Sequence, residues 1–124
     1  MNVNRVIPQL RTTDLDATID FYVERLGFAL EFRHADFYAG IRIGDGQVHL
    51  KRVDDTDPSI DFVRRGDHLH LYFDVDDVDA FASAMQAKAV RFGLDVHDTA
   101  WGTRECSVFD DQGHTLYFGA PRHR

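Results

Sequence analysis

Trp101-Gly102-Thr103-Arg104-Glu105-Cys106-Ser107-Val108-Phe109, then Asp110-Asp111-Gln112-Gly113-His114, then Thr115-Leu116-Tyr117-Phe118-Gly119, read as two extended runs joined by a tight polar turn. Asp, Gln and Gly in the turn bond their own backbone or tolerate positive φ, and both flanks are rich in aromatic and β-branched residues. The stretch is a β-hairpin. The only tryptophan stands at its mouth, beside a glycine. The rest of the chain reads as the frame that holds this hairpin.

Working back from it, the second half opens on Asp67-His68-Leu69-His70-Leu71-Tyr72-Phe73-Asp74-Val75. Leu69, Leu71, Phe73 and Val75 alternate with His68, His70, Tyr72 and Asp74, the period of a half-buried strand. Asp76-Asp77 caps a helix whose inner face is Val78, Phe81, Met85 and Ala89. Arg91 to Val96 is extended again. The first half runs in the same order. Val3 to Leu10 is strand-like, and Pro8 predicts an edge strand. Thr13-Asp14 offers an N-cap, Ile19, Tyr22, Val23 and Leu26 fall on one helix face, and Gly27 ends the helix in the left-handed conformation. Phe28 to Arg33, Ala35 to Ile43 and Gln47 to Val53 are further extended runs, with Gly44-Asp45-Gly46 as a hairpin signal. Asp54 to Ser59 reads as a connecting loop.

Each half therefore reads strand, helix, then extended runs, a weak internal repeat. One fixed offset pairs Ile7 with His70, Leu10 with Phe73, Asp14 with Asp77 and Leu15 with Val78. The last strands pair at a slightly larger offset, His49 with Tyr117 and Leu50 with Phe118. The expected organisation is a single domain over 1–124, with module 1 at about 3–53, a linker at about 54–66 and module 2 at about 67–120.

The chain has 124 residues and a net charge of −7, which argues against nucleic acid as the main partner and favours solubility or a cationic ligand. A lone cysteine, Cys106, cannot form an internal disulfide. No apolar run reaches membrane-spanning length and the start has no apolar signal region, so a cytoplasmic protein with no membrane partner is expected.

The pattern resembles the glyoxalase, bleomycin-resistance and extradiol-dioxygenase family, the vicinal oxygen chelate superfamily. Pro8 to Leu15, Ala17-Thr18-Ile19-Asp20-Phe21-Tyr22 and Leu26-Gly27-Phe28 look like its opening strand and helix. Trp101-Gly102-x-Arg104-Glu105, Asp110-x-x-Gly113-His114 and Tyr117-Phe118 look like its closing hairpin, with Trp-Gly-x-Arg-Glu closest to bleomycin-resistance proteins. The resemblance implies an α+β fold of two βαβββ modules forming a curved mixed sheet around a cleft, in a homodimer whose modules are often swapped between chains.

In the superfamily's metalloenzymes the resemblance places ligands on the first and last strand of each module, here Ile7, His49, His70 and Tyr117. Ile7 offers no donor, and Tyr117 stands where a carboxylate is usual. His49 and His70 alone make a weak site, because zinc wants three or four protein ligands. Recruiting Gln9 would shift the register and break the match at Asp14-Leu15. His68 and His70 form a His-x-His pair on one strand face, better read as polar lining, and His97, His114 and His123 receive no role. No cofactor is expected, with a divalent metal as the alternative.

A nucleophilic mechanism needs an activated Ser or Cys with a base, and neither Cys106 nor Ser107 has such a setting. Arg104 and Glu105 alternate to opposite strand faces. No phosphate-binding loop or dinucleotide fingerprint is present. The chain is read as leaning away from an enzyme, with no catalytic residues. Alternation leaves Ile7, Gln9, His49, His70, Tyr72 and Tyr117 to a cleft, with Phe37, Tyr38 and Trp101 at its rim. Aromatic faces with a few polar groups suit a planar, cationic ligand. The expected ligand-binding set is Phe37, Tyr38, His49, His70, Tyr72, Trp101 and Tyr117. The expected function is non-catalytic sequestration of a bleomycin-type antibiotic in clefts at the dimer interface. The alternative is a metal-dependent lyase, isomerase or dioxygenase using His49 and His70.

Overall fold

The computed structural model describes residues 1–122, so His123 lies outside the described residues. The fold is α+β, with two four-stranded mixed sheets, each accompanied by a helix. Two compact units, 1–60 and 61–124, divide the chain.

In the first unit, β1 (Gln9–Thr12) leads to α1 (Leu15–Asp20), which continues as a π-helical turn over Phe21–Arg25. Asp14 caps α1, its carboxylate accepting the Ala17 N–H at 3.0 Å. Gly27, at φ +78°, ends the helical stretch as the sequence predicts. The hairpin strands β2 (Ala29–His34), β3 (Tyr38–Ile43) and β4 (Gly46–Arg52) follow, in sheet order β1-β4-β3-β2. β1 runs parallel to β4 and is an edge strand, while the other pairs are antiparallel. The first strand is shorter and later than Val3 to Leu10. Pro8 has no N–H to give, and the ladder begins where its carbonyl accepts the His49 N–H at 2.8 Å. Leu10, Leu15, Ile19, Tyr22, Ile41, Val48 and Leu50 form the buried core, each contributing about 1.5–3 kcal/mol of burial.

Between the two β-rich segments lies a short helix, α2 (Ser59–Arg64), within the stretch read as linker. Asp57 accepts the Ser59 N–H at 2.9 Å, and Pro58 immediately precedes the helix.

The second unit repeats the order: β5 (His70–Asp74), α3 (Val78–Ala87), β6 (Arg91–Asp98), β7 (Thr103–Phe109) and β8 (Thr115–Pro121), in sheet order β5-β8-β7-β6. β5 and β8 are parallel and the others antiparallel. Asp77 caps α3 through Ala80, matching Asp14 in the first unit. The buried face of α3 is Val78, Ala82 and Met85. Ala89, expected on that face, lies beyond the helix, exposed and at φ +59°, the backbone position that Gly27 fills in unit 1. Leu69 is likewise exposed, because β5 begins one residue later. Phe81 stacks on Phe118 at 5.1 Å, placing the Leu116-Phe118-Ala120 side of β8 against α3.

The closing hairpin turns on a buried knot. Asp110 Oδ1 accepts three backbone N–H groups, from Gln112, Gly113 and His114, each at 2.9 Å. Its Oδ2 binds His114 Nδ1 at 2.7 Å, with neither side chain exposed. The backbone of α2 packs against Gly113, where an added Cβ would meet the Val63 carbonyl at 2.6 Å.

Candidate functional site

Each unit presents one sheet face away from its core, and strand alternation decides what stands on it. In β4, Val48 and Leu50 are buried, so Gln47, His49 and Lys51 face outward. His49 is held in a chain of hydrogen bonds with one consistent direction. Gln9 Nε2 donates to the Tyr38 hydroxyl at 3.0 Å, which donates to His49 Nδ1 at 3.0 Å. His49 Nε2 donates to Gln47 Oε1 at 3.0 Å. This is a neutral imidazole whose one lone pair is already engaged. Burial, assisted by the Arg5 charge, lowers the His49 pKa and favours the same neutral form.

Phe32 completes the group, an aromatic that sequence reading did not single out. Its ring lies edge-on to His49 at 5.3 Å and directly over Gly40, where an added Cβ would fall 2.6 Å from Phe32 Cδ2. Glycine in a strand interior often marks such a close approach. Phe37 leans on Tyr38 at 6.0 Å and is half exposed.

The second unit carries His70, Tyr72 and Tyr117 together. Tyr72 stacks with Tyr117 at 6.5 Å and 13°, and His70 is tilted against Tyr117 at 5.9 Å. His70 Nε2 donates to the Gly66 carbonyl at 2.8 Å. His68 is not its partner on this face, since the His68 ring packs on His114 at 6.1 Å. His97 lies in β6.

Tyr72 reaches across Gly119 and donates to Glu105 Oε2 at 2.9 Å, and Thr103 Oγ1 donates to the same oxygen at 2.9 Å. Burial and the Glu105 carboxylate together push the Tyr72 hydroxyl up to about 12. Arg104 points to the opposite face, as alternation predicts, where it binds Asp79 of α3 and Asp98, each at 2.9 Å. Trp101 stands apart. It is 73% exposed and makes no hydrogen bond or ring contact among the described residues.

The donor set does not fit the superfamily's metal site. Ile7 has no donor atom, His49 has its lone pair in use, and Tyr117 supplies a phenol where a carboxylate is usual. Among the described residues no three His, Cys, Asp or Glu side chains gather as metal ligands. Cys106 is buried, and burial pushes its thiol up to about 11, far from an activated nucleophile.

A model of the Glyoxalase/Bleomycin resistance protein/Dioxygenase superfamily matches residues 3–118. No curated protein sequence matches the chain. Among solved structures, the bleomycin-binding protein of bleomycin-producing Streptomyces verticillus, complexed with copper(II)-bleomycin, is 26% identical with a TM-score of 0.75 over 97% of this chain and 98% of that one. TioX from Micromonospora sp. ML1 is 25% identical with a TM-score of 0.75 over 98% of both chains. Lactoylglutathione lyase from Agrobacterium tumefaciens, 19% identical with a TM-score of 0.73 over 98% of this chain and 97% of that one, shares the fold.

Proposed function

Because the chain belongs to the Glyoxalase/Bleomycin resistance protein/Dioxygenase superfamily, we propose that it binds and sequesters a cationic, partly aromatic small molecule without catalysis. The ligand class is that of bleomycin, and residues 1–124 act as one domain in a cytoplasmic homodimer with clefts at the dimer interface. No helix among the described residues is long and apolar enough to cross a membrane.

The observation that carries this reading is the sheet face of β5 and β8, where the Tyr72 and Tyr117 rings lie parallel beside His70. Such a face stacks on planar ligands, and its polar edges fix their orientation. Phe37, Tyr38 and His49 make a second aromatic and polar group on the first sheet, and Trp101 offers an exposed ring for a ligand to cover. The net charge of −7 favours a cation, and the 26% identity to a bleomycin-binding protein supports the ligand class.

Titration calorimetry with bleomycin and with its copper complex tests the reading. Saturable heat at micromolar ligand supports it, and no heat at that concentration ends the antibiotic assignment. A metal-dependent lyase, isomerase or dioxygenase is the second reading, motivated by His49 and His70 at two of the superfamily's ligand positions. Stoichiometric metal in the purified protein, lost in a His49→Ala, His70→Ala double variant, would replace the first reading with the second.

A further inference from the structure

Glu105 is only 6% exposed, yet no cation among the described residues pairs with it. Both of its hydrogen bonds fall on one oxygen, from the neutral hydroxyls of Tyr72 and Thr103 onto Oε2. Oε1 carries no hydrogen bond among the described residues and keeps some open surface. The arginine next in sequence is engaged on the far side of the sheet with Asp79 and Asp98. Arg91, on β6, holds its guanidinium 4.4 Å over the Phe109 ring instead. Across the strands Glu105 is flanked by Gly119, which has no side chain, and by His97, whose Nδ1 donates to the Asp95 carbonyl.

A buried carboxylate is costly unless paired, and a free oxygen on it is the strongest acceptor this face can offer. We propose that Glu105 Oε1 is the anchor for a protonated amine on the ligand, so that the face selects aromatic molecules carrying an ammonium group. The Tyr72 and Thr103 hydroxyls hold the carboxylate by Oε2 and leave Oε1 toward the ligand. The parallel Tyr72 and Tyr117 rings lie beside it to receive the aromatic part, and their π faces also attract the cation. This deepens the proposed binding function and rests on it, since it names the chemistry that the same face recognises.

The test compares two probes of equal shape, 2-phenylethylamine and 2-phenylethanol, titrated into the full chain and followed by amide NMR. The amine is expected to bind at least about tenfold tighter than the alcohol, with shifts in β5, β7 and β8, as a charge-assisted hydrogen bond would give. Glu105→Gln keeps an acceptor for Tyr72 and Thr103 but removes the charge, and the preference should vanish while the alcohol binds as before. Equal binding of both probes to the wild type, or a preference that survives Glu105→Gln, overturns the inference and leaves aromatic binding standing. If neither probe shifts the face, the binding reading falls and the anchor with it. Should Glu105→Gln not fold, the carboxyl carbon of Glu105 in the wild type decides the matter. It moves with amine saturation if the anchor is right and stays fixed if it is wrong.

Discussion

Tyr72 lies across Gly119, so that a Cβ added to the glycine would fall 2.5 Å from Cζ of the tyrosine and onto its hydroxyl. The bond from Tyr72 to Glu105 exists only because position 119 is bare. Gly119→Ala is therefore expected to expel the ring, at a stability cost of about 1–3 kcal/mol for the overpacking. The displaced hydroxyl loses its contact with Glu105, and its pKa falls from about 12 toward the ordinary 10. Spectrophotometric titration of tyrosinate, with Tyr72→Phe identifying the contribution among four tyrosines, measures this directly. A raised folded-state value means that this contribution is fully present below pH 10 and lost as pH rises through about 12, a loss that Tyr72→Phe should lack.

His49 gives the opposite edge of the pH profile. Its pKa is lowered by burial and by Arg5, so the unfolded chain takes up its proton first as pH falls. Stability from the neutral ring is present above its unfolded value of 6.5 and declines as pH drops through the folded one. Urea unfolding from about pH 8 to about pH 5 should show a flatter profile for His49→Asn than for the wild type. Equal slopes would mean that the Tyr38–His49–Gln47 chain does not hold a neutral ring.

Asp110 ties the turn of the closing hairpin together. Its carboxylate holds three backbone N–H groups and His114 with no exposure to water. Asp110→Ala takes the carboxylate from the Gln112 and His114 N–H groups and from the imidazole, leaves Gly113 only its 3.2 Å bond to the backbone carbonyl of residue 110, and is expected to cost about 3–5 kcal/mol in denaturant unfolding. A loss below about 1 kcal/mol would show that the turn closes without it.

Trp101 is the only tryptophan, which makes fluorescence a site-specific probe. In the free protein its emission should be that of a water-exposed indole, readily quenched by acrylamide. Bleomycin should shield it from the quencher, and Trp101→Ala should weaken binding by about tenfold or more if the ring is an anchor. Unchanged affinity would remove Trp101 from the site.

The frame was legible in the sequence because its signals are local. Asp14 and Asp77 each cap their helix three residues on, Gly27 ends the first helix, and alternation in β4 and β8 sorts core from open face correctly. The α2 helix was also signalled, since Asp57-Pro58-Ser59 is a capping aspartate followed by proline at the first turn, but six residues are too few to show periodicity. The setting of Glu105 is hidden from the sequence for a different reason. Its separation from Arg104 follows from alternation, but its meeting with Tyr72 depends on the register of β5 to β8 and of β8 to β7. Nothing in one strand reveals that. Phe32 over Gly40 is hidden in the same way, by a pairing between strands.

Each sheet seats an aromatic ring closely on a strand glycine of its open face, Phe32 on Gly40 and Tyr72 on Gly119. A ring seated on bare backbone answers to no interdigitating neighbour below it. It can be exchanged for another flat side chain without rewriting the apolar code that folds the frame. Descendants of such a gene can vary these two tiles, one hydrocarbon and one hydroxylated, while inheriting the same architecture.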